Sequence, residues 1–99
     1  MVLVVRSAHP YLHNRTVHDS VFLQILHGTA DANIRFRDLE ALLLRLGFSE
    51  RIRGSHHIFT RPGIAEILNL QPLGSRAKAY QVKQVRKIIV QYRLEKWAE

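Results

Sequence analysis

The sequence predicts an α+β domain: a three-stranded antiparallel meander with helices packed on one of its faces, in the order α-α-β-β-β-α. Three observations predict it. Apolar residues recur at three- and four-residue steps in two stretches before Gly47 and in one after Ala79, the helical period. Between them lie three short runs divided by Gly54-Ser55 and Arg61-Pro62-Gly63, and such tight connections join antiparallel neighbours. Ninety-nine residues, 46% of them hydrophobic, supply one core and one domain.

Residues 1–16 carry no firm pattern. Pro10 prevents a continuous helix there. The segment reads as an extra edge strand or as a leader, and the reading taken is a dispensable leader, with the single domain spanning 17–99. Helical signals begin near Val17. Asp19 or Ser20 suits the cap, and Val21, Phe22, Ile25 and Leu26 form a stripe that Gly28 ends. The second helix is marked by Phe36, Leu39, Leu42, Leu43 and Leu46. Asp38 and Glu40 lie in its first turn and Arg45 in its last, as the helix dipole favours. Gly47 supplies the left-handed stop. The strands are expected at about 48–53, 56–61 and 66–70, followed by a polar loop from Gln71 to Ala79. Val82, Val85, Ile88, Ile89 and Tyr92 define the last helix, with Lys83, Arg86 and Lys87 off the stripe. Leu94 and Trp97 extend its packing.

Composition narrows the class. The chain has no cysteine, which removes disulfide frameworks and thiolate zinc sites and fits a reducing cytosol. The opening Val2-Leu3-Val4-Val5 run ends at Arg6, too short for a membrane span or a signal-peptide core, so the expected location is cytoplasmic, with no membrane partner. The net charge of +7 is unevenly placed. Residues 1–50 hold five basic and five acidic side chains, whereas 51–99 hold ten and three. A basic half-domain built of structured elements points to a polyanion, nucleic acid ahead of a merely solvated surface.

The stretch Gly54-Ser55-His56-His57-Ile58-Phe59 places two histidines after a glycine turn at the head of an apolar strand, with Arg51, Arg53 and Arg61 around it. RNA carries its own nucleophile, the 2′-hydroxyl. Cutting it requires a proton acceptor, cations on the phosphate and a proton for the leaving oxygen, which a histidine among arginines can serve without metal or cofactor. On residue type alone His56 reads equally as a surface strand histidine and as a catalytic one. His57 points to the opposite face of a strand and reads as structural. Zinc at the pair is disfavoured, because strand neighbours diverge and no carboxylate or cysteine is close in sequence. His9, His13, His18 and His27 show no metal spacing. Gly54 serves the turn or lets phosphate approach, and Ser55 fixes the hinge or bonds phosphate. Arg76, Lys78, Lys83, Arg86 and Lys87 are candidate phosphate contacts, though Arg86 and Lys87 also suit an ordinary charged helix face. Tyr80 packs at the helix start or stacks on a base.

Leu46-Gly47-Phe48, Gly54-Ser55-His56 with the apolar strand after it, Asn69-Leu70-Gln71-Pro72, and the run from Ala77 to Arg86 together resemble the HicA-type mRNA interferase toxins. The resemblance covers about 17–94. It implies a double-stranded-RNA-binding-domain-like fold and endoribonuclease cleavage of mRNA. It also implies His56 as the catalytic residue and a HicB-type antitoxin covering the site. Motif position favours His56, while chemistry alone admits His57. The alternative function is a basic RNA- or DNA-binding module without turnover.

Overall fold

A computed structural model gives the architecture, describing residues 3–6 and 15–97. The elements run β1 (Leu3–Arg6), α1 (Arg15–His27), α2 (Phe36–Arg45), β2 (Ser49–Arg53), β3 (His56–Arg61), β4 (Ile64–Leu70) and α3 (Ala79–Gln91). Short 3-10 turns occupy Asp31–Asn33 and Leu94–Trp97.

The predicted meander is present as β2-β3-β4, and it carries a fourth strand. β1 pairs antiparallel with β2, Leu3 opposite Arg53 and Arg6 opposite Glu50, so the sheet order is β1-β2-β3-β4. For residues 3–6 the edge-strand alternative is therefore the one realised. His9, Pro10 and His13 lie outside the described residues. Helix α1 starts at Arg15, two residues ahead of the expected start, and this places Asp19 and Ser20 inside it, where neither can cap. Strand β4 also begins earlier than expected, at Ile64, because the turn at Pro62-Gly63 returns the chain at once and Arg61 faces Ile64.

All three helices meet one face of the sheet. Phe22 and Ile25 of α1, Leu39, Leu42 and Leu43 of α2, and Val82, Val85, Ile88 and Ile89 of α3 are buried with Phe48, Phe59, Leu68 and Leu70. The predicted helical stripes are thus the core. Leu94 joins it at 2% exposure, while the Trp97 side chain is outside the described set. Alternation along the strands then fixes the other face. In β4, Leu68 and Leu70 are buried and Ile67 and Asn69 exposed. In β3, Phe59 is buried and His56 exposed. The helices leave that second face of the sheet uncovered.

Arg86 ties the helical layer together. Its Nη1 and Nη2 donate to Asp31 Oδ1 and Oδ2 at 2.9 and 3.0 Å, and Nη1 also donates to the Ile25 carbonyl at 3.0 Å. This clasp joins α3 to the end of α1 and the turn after it. The Arg86 hydrogen bonds hold the Asp31 carboxyl below its ordinary range and raise the guanidinium in return.

Candidate active site

Two residues, Gly54 and Ser55, connect β2 to β3, with Arg53 directly opposite His56. Gly54 has φ +61°, and Ser55 is not in the positive region. A left-handed first loop residue followed by an ordinary second one is the pattern of a type II′ hairpin turn, whose twist suits the flanking strands. The glycine is therefore required by the turn. The turn in turn sets His56 as the first residue of β3 and fixes which face it takes.

Cross-strand register builds the site on the open face. Arg53 stands opposite His56 and Leu3; Arg51 stands opposite Ile58 and Val5; Ile58 stands opposite Asn69. Directly opposed residues share a face, so Arg51, Arg53, His56, Ile58 and Asn69 line one surface, with Leu3 and Val5 at its β1 side. His56 is exposed, and its Nδ1 lies 3.2 Å from Asn69 Oδ1, a diagonal neighbour on β4. Because that oxygen can only accept, the pairing places the ring proton on Nδ1. The Nε2 lone pair is then left as the acceptor of the neutral ring. Ser55 Oγ accepts from Gln71 Nε2 at 2.8 Å, pinning the turn to the end of β4. Arg53, Gly54, Ser55, His56, Ile58 and Asn69 surround an open depression of about 590 Å³.

His57 goes the other way, as strand alternation predicts. Its Nδ1 donates to Glu50 Oε2 at 2.7 Å and lies 3.4 Å from Glu40 Oε2. Its ring meets Phe36 edge-on, with centroids 4.6 Å apart. Glu50 is fully buried, so the histidine serves a carboxylate that cannot reach water. Sequence proximity gave no carboxylate near this histidine, but packing supplies two. One donor atom from each of Glu40, Glu50 and His57 falls within 4.8 Å of the others, a set that could hold a cation. It lies behind the sheet, on the face opposite His56.

The other predicted site residues disperse. Arg61 is at the far end of β3, about 17 Å along the strand from His56 at the usual rise. Its side chain lies over Gly47, where an added Cβ would come within 3.1 Å of Arg61 Nε. Arg86 is held in its clasp with Asp31, and Arg76 Nη1 donates to Asn33 Oδ1 at 2.9 Å. Lys83 and Lys87 are exposed on α3 and Lys78 is half-buried at its start; Tyr80 is exposed there too. All four stand in the helical layer, which covers the sheet's other face. In the sequence Asn69 stands out only as part of a resemblance, since an asparagine in a strand carries no local mark of its partner.

A protein-family model described as "HicA toxin of bacterial toxin-antitoxin" matches residues 36–91, more than half of the chain. The chain belongs to the HicA toxin family. The matched span runs from the start of α2 to the end of α3 and contains His56, Asn69, Glu50 and His57. No curated protein and no solved structure matches the chain. Strand β1 and helix α1 fall outside the HicA match. Among the described residues no helix is long and apolar enough to cross a membrane.

Proposed function

We propose that this HicA-family toxin is an endoribonuclease that cleaves mRNA with His56 as its acid–base residue, without a metal in the chemical step. The observation that carries the reading is the hydrogen bond of His56 Nδ1 to Asn69 in an exposed ring with Arg53 directly opposite. It supports a ring whose Nε2 can accept a proton from a substrate lying on the open face. In the step proposed, Nε2 takes the proton of the 2′-hydroxyl and O2′ attacks the adjacent phosphorus. The P–O5′ bond breaks as O5′ takes a proton from water, leaving a 2′,3′-cyclic phosphate on one product and a 5′-hydroxyl on the other, and the hydroxide so formed takes the proton back from Nε2. Arg53 balances charge on the phosphoryl oxygens, and the Gly54-Ser55 turn lets the backbone come close. The remaining basic residues, Arg61, Arg76, Lys78, Lys83, Arg86 and Lys87, then act on solubility, on helix-layer packing or on distant phosphates.

The partner expected for such a toxin is a HicB-type antitoxin that neutralises it by covering the His56 face, with both proteins acting in the cytoplasm. The test is cleavage of purified mRNA in the presence of chelator, with His56→Ala alongside. Cleavage by the unaltered protein and none by the variant is expected. Equal cleavage by both removes His56 from the chemistry. Salt-sensitive binding that leaves the RNA intact instead favours a module without turnover.

A further inference from the structure

The open face does not end at the His56 depression. A second depression, of about 360 Å³, is lined by Leu3, Arg51, Arg53 and Ile58. It shares Arg53 and Ile58 with the first, so the two are continuous across the sheet. Its outer wall comes from β1, which the HicA match does not include. Leu3 and Val5 are each 57% exposed, on a strand whose neighbours on that face are arginines.

We propose that this second depression is a nucleotide subsite, and that β1 extends the cutting face to hold the single-stranded RNA residue next to the scissile linkage. The inference rests on the endoribonuclease reading and deepens it. Arg51 and Arg53 are two residues apart on one strand face, about 6.6 Å at the usual rise, comparable with the separation of successive phosphates along a nucleic-acid strand. A phosphate on each guanidinium places one at the His56 depression and one at its neighbour. The base between them meets the aliphatic surface of Leu3 and Ile58. A base can lie on such a wall only when it is unpaired and turned out of a helix, which selects single-stranded RNA over duplex. The cationic residues and the basic excess of the chain favour this polyanion over an apolar protein segment as the occupant.

The test uses the full chain with His56→Ala, so that the RNA stays intact, and a labelled single-stranded oligoribonucleotide of roughly twelve nucleotides. Binding is followed by fluorescence anisotropy over a salt series. Adding Arg51→Ala should weaken binding about tenfold and lower the magnitude of the salt slope by about one. Adding Leu3→Ser should weaken it about threefold with the salt slope unchanged, since no charge is removed. Val90→Ser, exposed on α3 in the helical layer, serves as the control and should leave affinity unchanged. Circular dichroism checks that each version is folded; both subsite changes are at exposed positions. Affinity unchanged by both Leu3→Ser and Arg51→Ala, or no binding by any version, overturns the subsite; in the first case a protein strand along β1 becomes the better occupant. Cleavage by the unaltered chain is measured separately. A subsite that binds while no version cuts sinks the endoribonuclease reading and leaves the subsite standing; cutting with no effect of Leu3 or Arg51 does the reverse.

Discussion

Adjacent histidines in one strand should have opposite fates when removed. His57→Ala takes a 2.7 Å hydrogen bond from a fully buried carboxylate, Glu50, and an edge contact from Phe36. Depriving a buried carboxylate of its close partner costs about 3 kcal/mol, taking the low end of the range because the sheet can adjust. For a domain of this size that corresponds to a fall in melting temperature of about 12–24 °C. His56→Ala removes only an exposed ring and a 3.2 Å surface hydrogen bond, so the midpoint should move by less than about 3 °C. Activity should reverse the order. Loss of His56, the base of the proposed reaction, should lower cleavage by about 10²- to 10⁴-fold. His57→Ala, assayed at a temperature where it is still folded, should retain most of its rate. The assay is thermal unfolding by circular dichroism beside RNA cleavage on the same preparations. If His57→Ala melts within about 3 °C of the unaltered protein, the buried pair does not hold β3 in place and the reasoning fails.

Other expectations follow from the same geometry. Asn69→Ala should lower the rate mainly through kcat, because Nδ1 and Nε2 then compete for the proton; Asn69→Asp, which still accepts, should restore part of it. The Asp31 carboxyl is held low by Arg86, so its contribution is full above the ordinary aspartate range and is lost as pH falls through its lower folded value. Acid unfolding should therefore show a stability gap between the unaltered protein and Asp31→Asn near neutrality that closes well below pH 3.8. Arg93 adopts φ +55° just past the end of α3, where its N–H bonds the Val90 carbonyl. Arg93→Gly should raise stability by about 0.5–1 kcal/mol in a urea titration, by removing the left-handed strain on a side-chain-bearing residue.

Period and turn chemistry in the chain were enough for the three helical stripes, the exact span His56–Arg61 of β3, and the opposite facing of His56 and His57. Each of these depends on residues within a few positions of one another, and local spacing encodes them directly. The partners of the two rings were not legible. Asn69 reaches His56 across thirteen positions, and Glu50 reaches His57 across seven. Strand register, set by Gly54 and by which faces could be buried, decided both. The same register separated three arginines that stand close in the chain: Arg51 and Arg53 came to the face of His56, while Arg61 went to the other end of β3 over Gly47. Arg86, which its place on the helix suggested for phosphate, was claimed by Asp31 fifty-five positions away. Strand β1 was decided by tertiary structure alone. A four-residue run can be strand, leader or neither until a neighbouring edge offers its unpaired N–H and carbonyl groups, and that edge belongs to β2, more than forty positions away in the chain.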